Sequence, residues 1–213
     1  MEIYNLILKR RTIRRFEETP IPRSVLEKLV NAARLAPSAA NLQPCEYIVV
    51  EEKSLLEKVF ETLRWAGYIA PQGDPPPGER PVAYIVVIIN EEKKSGYAPQ
   101  DAAAAIENMI LLALAEGIGS CWIGSIERER LSAILALPSS CKIDSVLALG
   151  YPAESPVMED LIPVSTLSKP RALARGASNG LTDSVKYWKD KEGRLHVPKR
   201  KLEDVIHWQK YKK

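Results

Sequence analysis

The sequence predicts a single α+β domain, and three features carry that prediction. The run Val82–Ile89 is apolar throughout and bounded by Pro81 and Asn90, as expected of a strand buried on both faces. Residues 100–116 form the strongest helical segment, apolar nearly all round and therefore central. Shorter β-branched or apolar segments, Glu46–Val50, Ser120–Ile123 and Asp144–Gly150, complete a sheet between further helical segments.

In chain order, Ile3, Leu6 and Ile7 give residues 2–10 the spacing of a short amphipathic helix that runs into basic residues. Val25, Leu26, Leu29, Val30 and Ala33 mark a second helix, opened by Pro22 at its first turn and ended before Pro37. Leu55, Leu56, Val59, Phe60 and Leu63 extend a helical pattern over 53–66. From Gly67 to Pro81 the density of proline and glycine excludes helix and central strand, which marks a functional or mobile loop. In the central helix, Asp101 suits the positive end of the dipole, alanines 102–105 permit close helix approach, and Gly117 is the stop. A helix over 127–136 separates the last two strands.

Beyond Pro152 periodicity fades until Leu202, Val205 and Ile206 suggest a last helical turn or two. The simplest account is one domain over 1–213 in which 153–213 form a long irregular arm. Tyr187, Trp188, Leu195, Trp208 and Tyr211 imply that this arm buries something, and wrapping a partner subunit would satisfy both facts.

The 213 residues are 46% hydrophobic and 27% charged, a globular composition that excludes disordered and collagen-like chains. No apolar run reaches the roughly 18 residues a membrane span needs, and the N-terminus lacks a signal-peptide core, so a cytoplasmic protein is expected. The net charge of +3 does not argue for nucleic acid, and aromatic residues are not interleaved with the basic runs. Cys45, Cys121 and Cys141 show no CxxC or zinc spacing, and His196 and His207 belong to no HExxH, so metal catalysis is not expected. GxSxG, P-loop and GxGxxG patterns are absent as well. Redox or group-transfer chemistry would have to come from a bound organic cofactor.

Three segments could hold one. In Arg10-Arg11-Thr12-Ile13-Arg14-Arg15-Phe16, guanidinium forks and a hydroxyl suit a phosphate; the same cations could simply complement a helix C-terminus. A second basic knot, Lys199-Arg200-Lys201, could close on the same anion, or be a solvated face. The turn Ala36-Pro37-Ser38-Ala39-Ala40-Asn41-Leu42-Gln43-Pro44 offers donors suited to the heteroatom edge of a planar ring or to a polyol. Glycines around Ser120-Cys121-Trp122-Ile123-Gly124-Ser125 would let backbone approach a ligand, unless they only make a tight connection.

RRTIRRF, APSAANLQP, DAAAAIENMILLALAEGIGSCWIGS, LALGYP and PKRKLEDVIHW occur in the order seen in the nitroreductase family of flavoproteins, and the resemblance runs from Leu6 to Trp208. It implies an α+β homodimer with a central mixed or antiparallel sheet flanked by helices, and FMN at the subunit interface. On this resemblance Arg10, Arg11 and Thr12 would meet the phosphate and ribityl chain, and Arg14 the pyrimidine edge. Pro37, Ser38, Ala39 and Asn41 would serve the other subunit's FMN, with Gln43 nearby. Trp122, Ile123 and Gly124 would run along the ring, and Lys199 and Arg200 would return to the phosphate. Thr12, Ala39 and Cys45 stand where the family commonly has serine, serine and an aromatic residue, which leaves substrate preference open.

The activity so implied is an FMN-dependent oxidoreductase that takes hydride from NADH or NADPH and reduces an electron-poor small molecule by a ping-pong scheme. No catalytic side chain is nominated. Trp65 and Tyr68 are candidates to cover the acceptor, or else helix-end packing residues. Alternatives are a specialised member (a dehalogenase, a flavin-fragmenting or a ring-dehydrogenating enzyme) and a non-catalytic FMN-binding module.

Overall fold

The computed structural model describes residues 2–160, 186–202 and 205–209. By its internal contacts the chain forms two compact units, Met1–Glu154 and Ser155–Lys213. The first contains α1 (Ile3–Lys9), α2 (Arg23–Arg34), β1 (Cys45–Val50), α3 (Lys53–Phe60), β2 (Ala83–Asn90), α4 (Ala98–Ala115), β3 (Gly119–Ile123), α5 (Arg128–Ile134) and β4 (Cys141–Gly150). Its sheet has the order β1-β2-β4-β3, antiparallel throughout. Parallel pairing enters the unit as a single bridge, Thr12 to Ser120.

The alternation of side chains along a strand splits the core into two layers. Ala83, Ile85 and Val87 of β2, with Leu147 and Leu149 of β4, pack against α2 and α4 through Leu26, Leu29, Ile106 and Met109. Tyr84, Val86, Ile88, Val146 and Ala148 face the other way, toward Val59 of α3 and Leu131 of α5. Between Val87 and Ile88 the register shifts: Val87 lies opposite Ser145 but Ile88 opposite Ile143. The bulge that skips Asp144 returns Ile143 to the same layer as Ile88. A central strand buried on both faces is what the apolar run of β2 predicts.

α4 begins two residues earlier than its apolar pattern, with proline in the first turn, and ends before Gly117, whose φ of +78° a side chain would disfavour. α3 stops at Phe60, short of the predicted 66. Thr62 Oγ1 donates to the Val59 carbonyl, Arg64 N–H to the Ser125 carbonyl at 3.0 Å, and Leu63 bridges Ile126. Leu63 therefore enters the core from extended chain rather than from a helix. Residues 67–81 hold one 3₁₀ turn, Gly67–Ile69, and otherwise turns and irregular backbone.

One packing feature fixes the basic segment against the sheet. Gly119 and Gly150 are directly paired across β3 and β4. A Cβ on Gly119 would lie 2.9 Å from Ile13 side-chain atoms, and one on Gly150 2.8 Å from those of Phe16. The two bare positions seat Ile13 and Phe16 in the second core layer, on the face that meets α3 and α5.

The second unit departs from the irregular arm expected over 153–200. It contains β5 (Val157–Asp160), β6 (Trp188–Lys189) and β7 (Leu195–Lys199) in the order β5-β7-β6, with β5 parallel and β6 antiparallel to β7. These strands are two to five residues long, too short to leave a periodic signal. Where a last helical turn is expected, the Val205 and Ile206 N–H groups donate to the Leu202 carbonyl at 3.1 and 3.0 Å, and residues 203 and 204 lie outside the described residues. Residues 161–185 of the arm, and Tyr211, lie outside the described residues.

His196 ties this unit together. Its Nδ1 bonds Glu159 of β5, its Nε2 bonds Asp190 at 3.0 Å, and its ring stacks on Trp188 with centroids 4.2 Å apart. Burial alone would lower its pKa, but the bonds and charges of Asp190 and Glu159 outweigh that and raise it. Arg194, whose N–H also bonds Asp190, is the cation beside the cluster. A raised folded-state pKa contributes stability that is complete below the ordinary imidazole value of about 6.5 and is lost as pH rises through the folded value. Proteolytic resistance of the second unit should therefore fall between mildly acidic and alkaline pH. His196→Gln should flatten that dependence, and an unchanged slope would remove His196 as its source.

Candidate functional site

The basic segment grows out of α1. Arg10 is the C-cap residue, its N–H donating to the Leu6 carbonyl at 2.9 Å. Arg11 Nη1 donates to the carbonyls of Leu8, at 2.9 Å, and Arg10. To that extent the cations do complement a helix C-terminus. Yet among the described residues no carboxylate forms an ion pair with Arg10 or Arg11. Burial and the neighbouring Arg10 charge lower the Arg11 pKa, the response of a cation crowded by another cation. Arg15, by contrast, pairs with Glu79.

Thr12 bridges Ser120, and Ile13 N–H donates to the Ser120 carbonyl at 2.9 Å, so the segment is stitched to β3 at the sheet edge. Arg14 is half-buried, and its N–H donates to the Glu154 carboxylate. Trp122 shares a sheet face with its partner Leu147, the α4 side, and is 44% exposed, whereas Ile123 is buried. A side chain at Gly124 would meet nothing within 4 Å, so backbone there is open to a ligand. Gly119 has a different use: it accommodates Ile13, not a bound molecule.

The turn after α2 is exposed at Pro37, Asn41 and Gln43 and half-buried at Ser38 and Ala39. Its backbone is left-handed at Ala40, Asn41 and Gln43, with φ of 49°, 55° and 50°. Ser38 Oγ donates to Asp101 Oδ2 at 2.7 Å, and Ala39 N–H to Asp101 Oδ1 at 3.1 Å. Behind the turn a cleft is lined by Arg34, Tyr47, Cys45 and Asp101 among others. Burial, with the Asp101 and Asp144 charges, pushes the Cys45 thiol up to about 11, so it is no nucleophile at neutral pH.

Trp65 does not cover a face. It is 5% exposed, inside the second core layer, with its ring centroid 5.7 Å from that of Phe60. Helix-end packing is the reading that describes it, because the chain after α3 turns inward. Tyr68 is 58% exposed. Lys199, at the end of β7, and Arg200 are exposed residues of the second unit.

Two residues of this geometry carry no signal in the sequence. Asp101 stands 63 positions from Ser38 and reads as an ordinary dipole-complementing carboxylate until the fold brings the turn to it. Glu154 lies 140 positions from Arg14 in a stretch without periodicity.

The sequence-predicted residues thus fall into two separate features: a cationic segment bound to a sheet edge, and a donor-rich turn bonded to the central helix. The model of the nitroreductase family matches residues 7–151, so the chain belongs to that family. A putative NADH dehydrogenase/NAD(P)H nitroreductase of Archaeoglobus fulgidus is 35% identical over 72% of this chain and 87% of that protein. A nitroreductase family protein from Clostridium novyi NT superposes with a TM-score of 0.64 at 31% identity, over 73% of this chain and 87% of that one. A putative nitroreductase from Desulfovibrio desulfuricans, solved in complex with FMN, gives 0.63 at 26% identity, over 78% and 94%. An iodotyrosine deiodinase of Nematostella vectensis is 25% identical over 75% of this chain and 70% of that protein.

Proposed function

We propose that the protein is an FMN-dependent NAD(P)H oxidoreductase. The observation that carries this reading is the half-buried Arg10–Arg11 pair, joined to the edge of β3 and, among the described residues, without a carboxylate partner. Two adjacent guanidinium groups suit a phosphomonoester, which carries close to two negative charges at neutral pH. The donor set fits FMN, and the FMN-bound relative of the same fold supports the choice.

In this reading Arg10 and Arg11 hold the phosphate, with Thr12 on the ribityl chain. Arg14 lies toward the pyrimidine edge, where a cation favours added negative charge. Trp122, Ile123 and Gly124 position the ring along the open end of β3, and the Pro37–Gln43 turn serves the FMN of a second subunit. Bound FMN would supply hydride transfer from NADH or NADPH to an electron-poor acceptor such as a nitroaromatic or quinone, in alternating half-reactions.

No side chain is assigned a proton-transfer role. The exposed Ile3, Tyr4, Ile7 and Leu8 of α1 provide apolar area for a homodimer interface, and residues 153–213 would wrap the partner as one arm of a single domain. Among the described residues no helix is long and apolar enough to cross a membrane; action in the cytoplasm on a small molecule is part of the proposal.

The protein should purify yellow, and NADH or NADPH should bleach the colour anaerobically in a stopped-flow instrument. A yellow protein that neither nucleotide reduces would be a flavin-binding module instead. The deiodinase relatives favour one specialised reading, reductive dehalogenation. Turnover of a halophenol in preference to nitroaromatics and quinones would select it.

A further inference from the structure

The turn after α2 is held from outside itself. Asp101 sits on the first turn of α4, is 8% exposed, and accepts both the Ser38 hydroxyl and the Ala39 N–H. Ser38 Oγ in turn accepts the Gln43 N–H at 2.9 Å. A hydroxyl has one proton to donate, and Ser38 has given it to Asp101.

The other donors of the turn are nearly all engaged as well. Asn41 and Leu42 N–H groups bond the carbonyls of Ser38 and Ala39, and the Gln43 carboxamide returns to the Asn41 carbonyl at 3.3 Å. Among the described residues, the Ala40 N–H and the Asn41 carboxamide are left without an acceptor.

Left-handed backbone at Ala40, Asn41 and Gln43 is costly for residues with side chains and persists only where surrounding bonds over-determine it. Asp101 supplies two of those bonds directly, and a third passes through Ser38.

We propose that Asp101 is a positioning residue for the flavin-binding turn: its carboxylate fixes Ser38 and Ala39, leaving Ala40 N–H and the Asn41 carboxamide as the donors offered to the cofactor. The inference rests on the FMN reading above and adds which groups of the turn recognise the flavin and which only support it. Ser38 belongs to the support.

The test is FMN affinity, from quenching of flavin fluorescence, alongside the melting temperature of the FMN-free protein. Asp101→Asn should raise the FMN Kd about tenfold, equal to ~1.4 kcal/mol. Ser38→Ala should weaken binding too, yet cost about twofold or less once Asp101→Asn is present, because both changes break one linkage. Asn41→Ala should weaken binding about tenfold with the melting temperature unchanged.

Additive losses at Ser38 and Asp101 would mean that Ser38 meets the flavin independently, and would overturn the proposal. So would an Asp101→Asn protein that melts lower but binds FMN like wild type, since Asp101 would then merely stabilise α4. Should Asp101→Asn fail to fold, Ser38→Ala and Asn41→Ala still decide. Loss of affinity without loss of melting temperature must appear at Asn41 and not at Ser38. A wild-type protein that binds no FMN would sink the FMN reading itself, a result distinct from all of these.

Discussion

Trp65→Ala is expected to lower the free energy of unfolding by about 3–5 kcal/mol, the range for removing a large buried aromatic side chain. Trp65 is 5% exposed and packs beside Phe60, over whose ring the Arg80 guanidinium lies at 4.0 Å. Truncation would open a cavity in the second core layer beside Phe60. The indole N–H complicates the comparison usefully: Nε1 is buried and among the described residues has no partner. Trp65→Phe should consequently cost much less than Trp65→Ala, since it removes an unpaired donor along with the lost area. Urea denaturation of the two variants measures the difference, and equal losses would place the indole in a better-satisfied site than this one. Tyr68→Ala, at an exposed position, should leave stability within about 0.5 kcal/mol. If Tyr68 touches the acceptor, the ratio of kcat/KM for a bulky over a small acceptor should shift about tenfold.

Arg10→Ala should weaken FMN binding by on the order of 1.5–3 kcal/mol, the scale of a hydrogen bond to a charged group. Arg10 is the cleaner probe of the pair, because Arg11 also closes the end of α1 through the Leu8 carbonyl. Affinity for FMN should fall far more than affinity for riboflavin, which lacks the phosphate. Equal loss toward both ligands would move Arg10 away from the phosphate, and undiminished FMN affinity would remove it from the site.

The sheet and its central helix were legible because their signals are local. β2 is a continuous apolar run buried on both faces, and α4 a long apolar helix that buries one face against the sheet and α2 while Glu107 and Asn108 stay exposed. Apolar spacing failed at Leu63, which is a core residue in either conformation. Capping by Thr62 and pairing with Ile126, neither visible in a periodicity, decide for extended chain. The three strands of the second unit escaped because each is short, and because the carboxylates that hold His196, Glu159 and Asp190, come to it only through the fold.

At the candidate site the basic run and the proline-framed turn announced themselves as clusters of donors. Their partners did not. Whether a donor is free or already spent depends on residues such as Asp101 and Glu154, distant in the chain, and sequence spacing holds no record of that.

The paired glycines of β3 and β4 bear on how this protein can change over evolutionary time. Ile13 and Phe16 occupy the room that Gly119 and Gly150 leave. A Cβ at either glycine would meet the Cβ of Ile13 or Phe16 itself, so no smaller side chain short of glycine relieves the clash, and shrinking the fully buried Phe16 would also leave a void. The two glycines are therefore constrained by the mere presence of side chains at positions 13 and 16, whatever their size. Because the same segment carries Thr12 and Arg14, this junction also keeps residues 12–16 in register with the sheet edge.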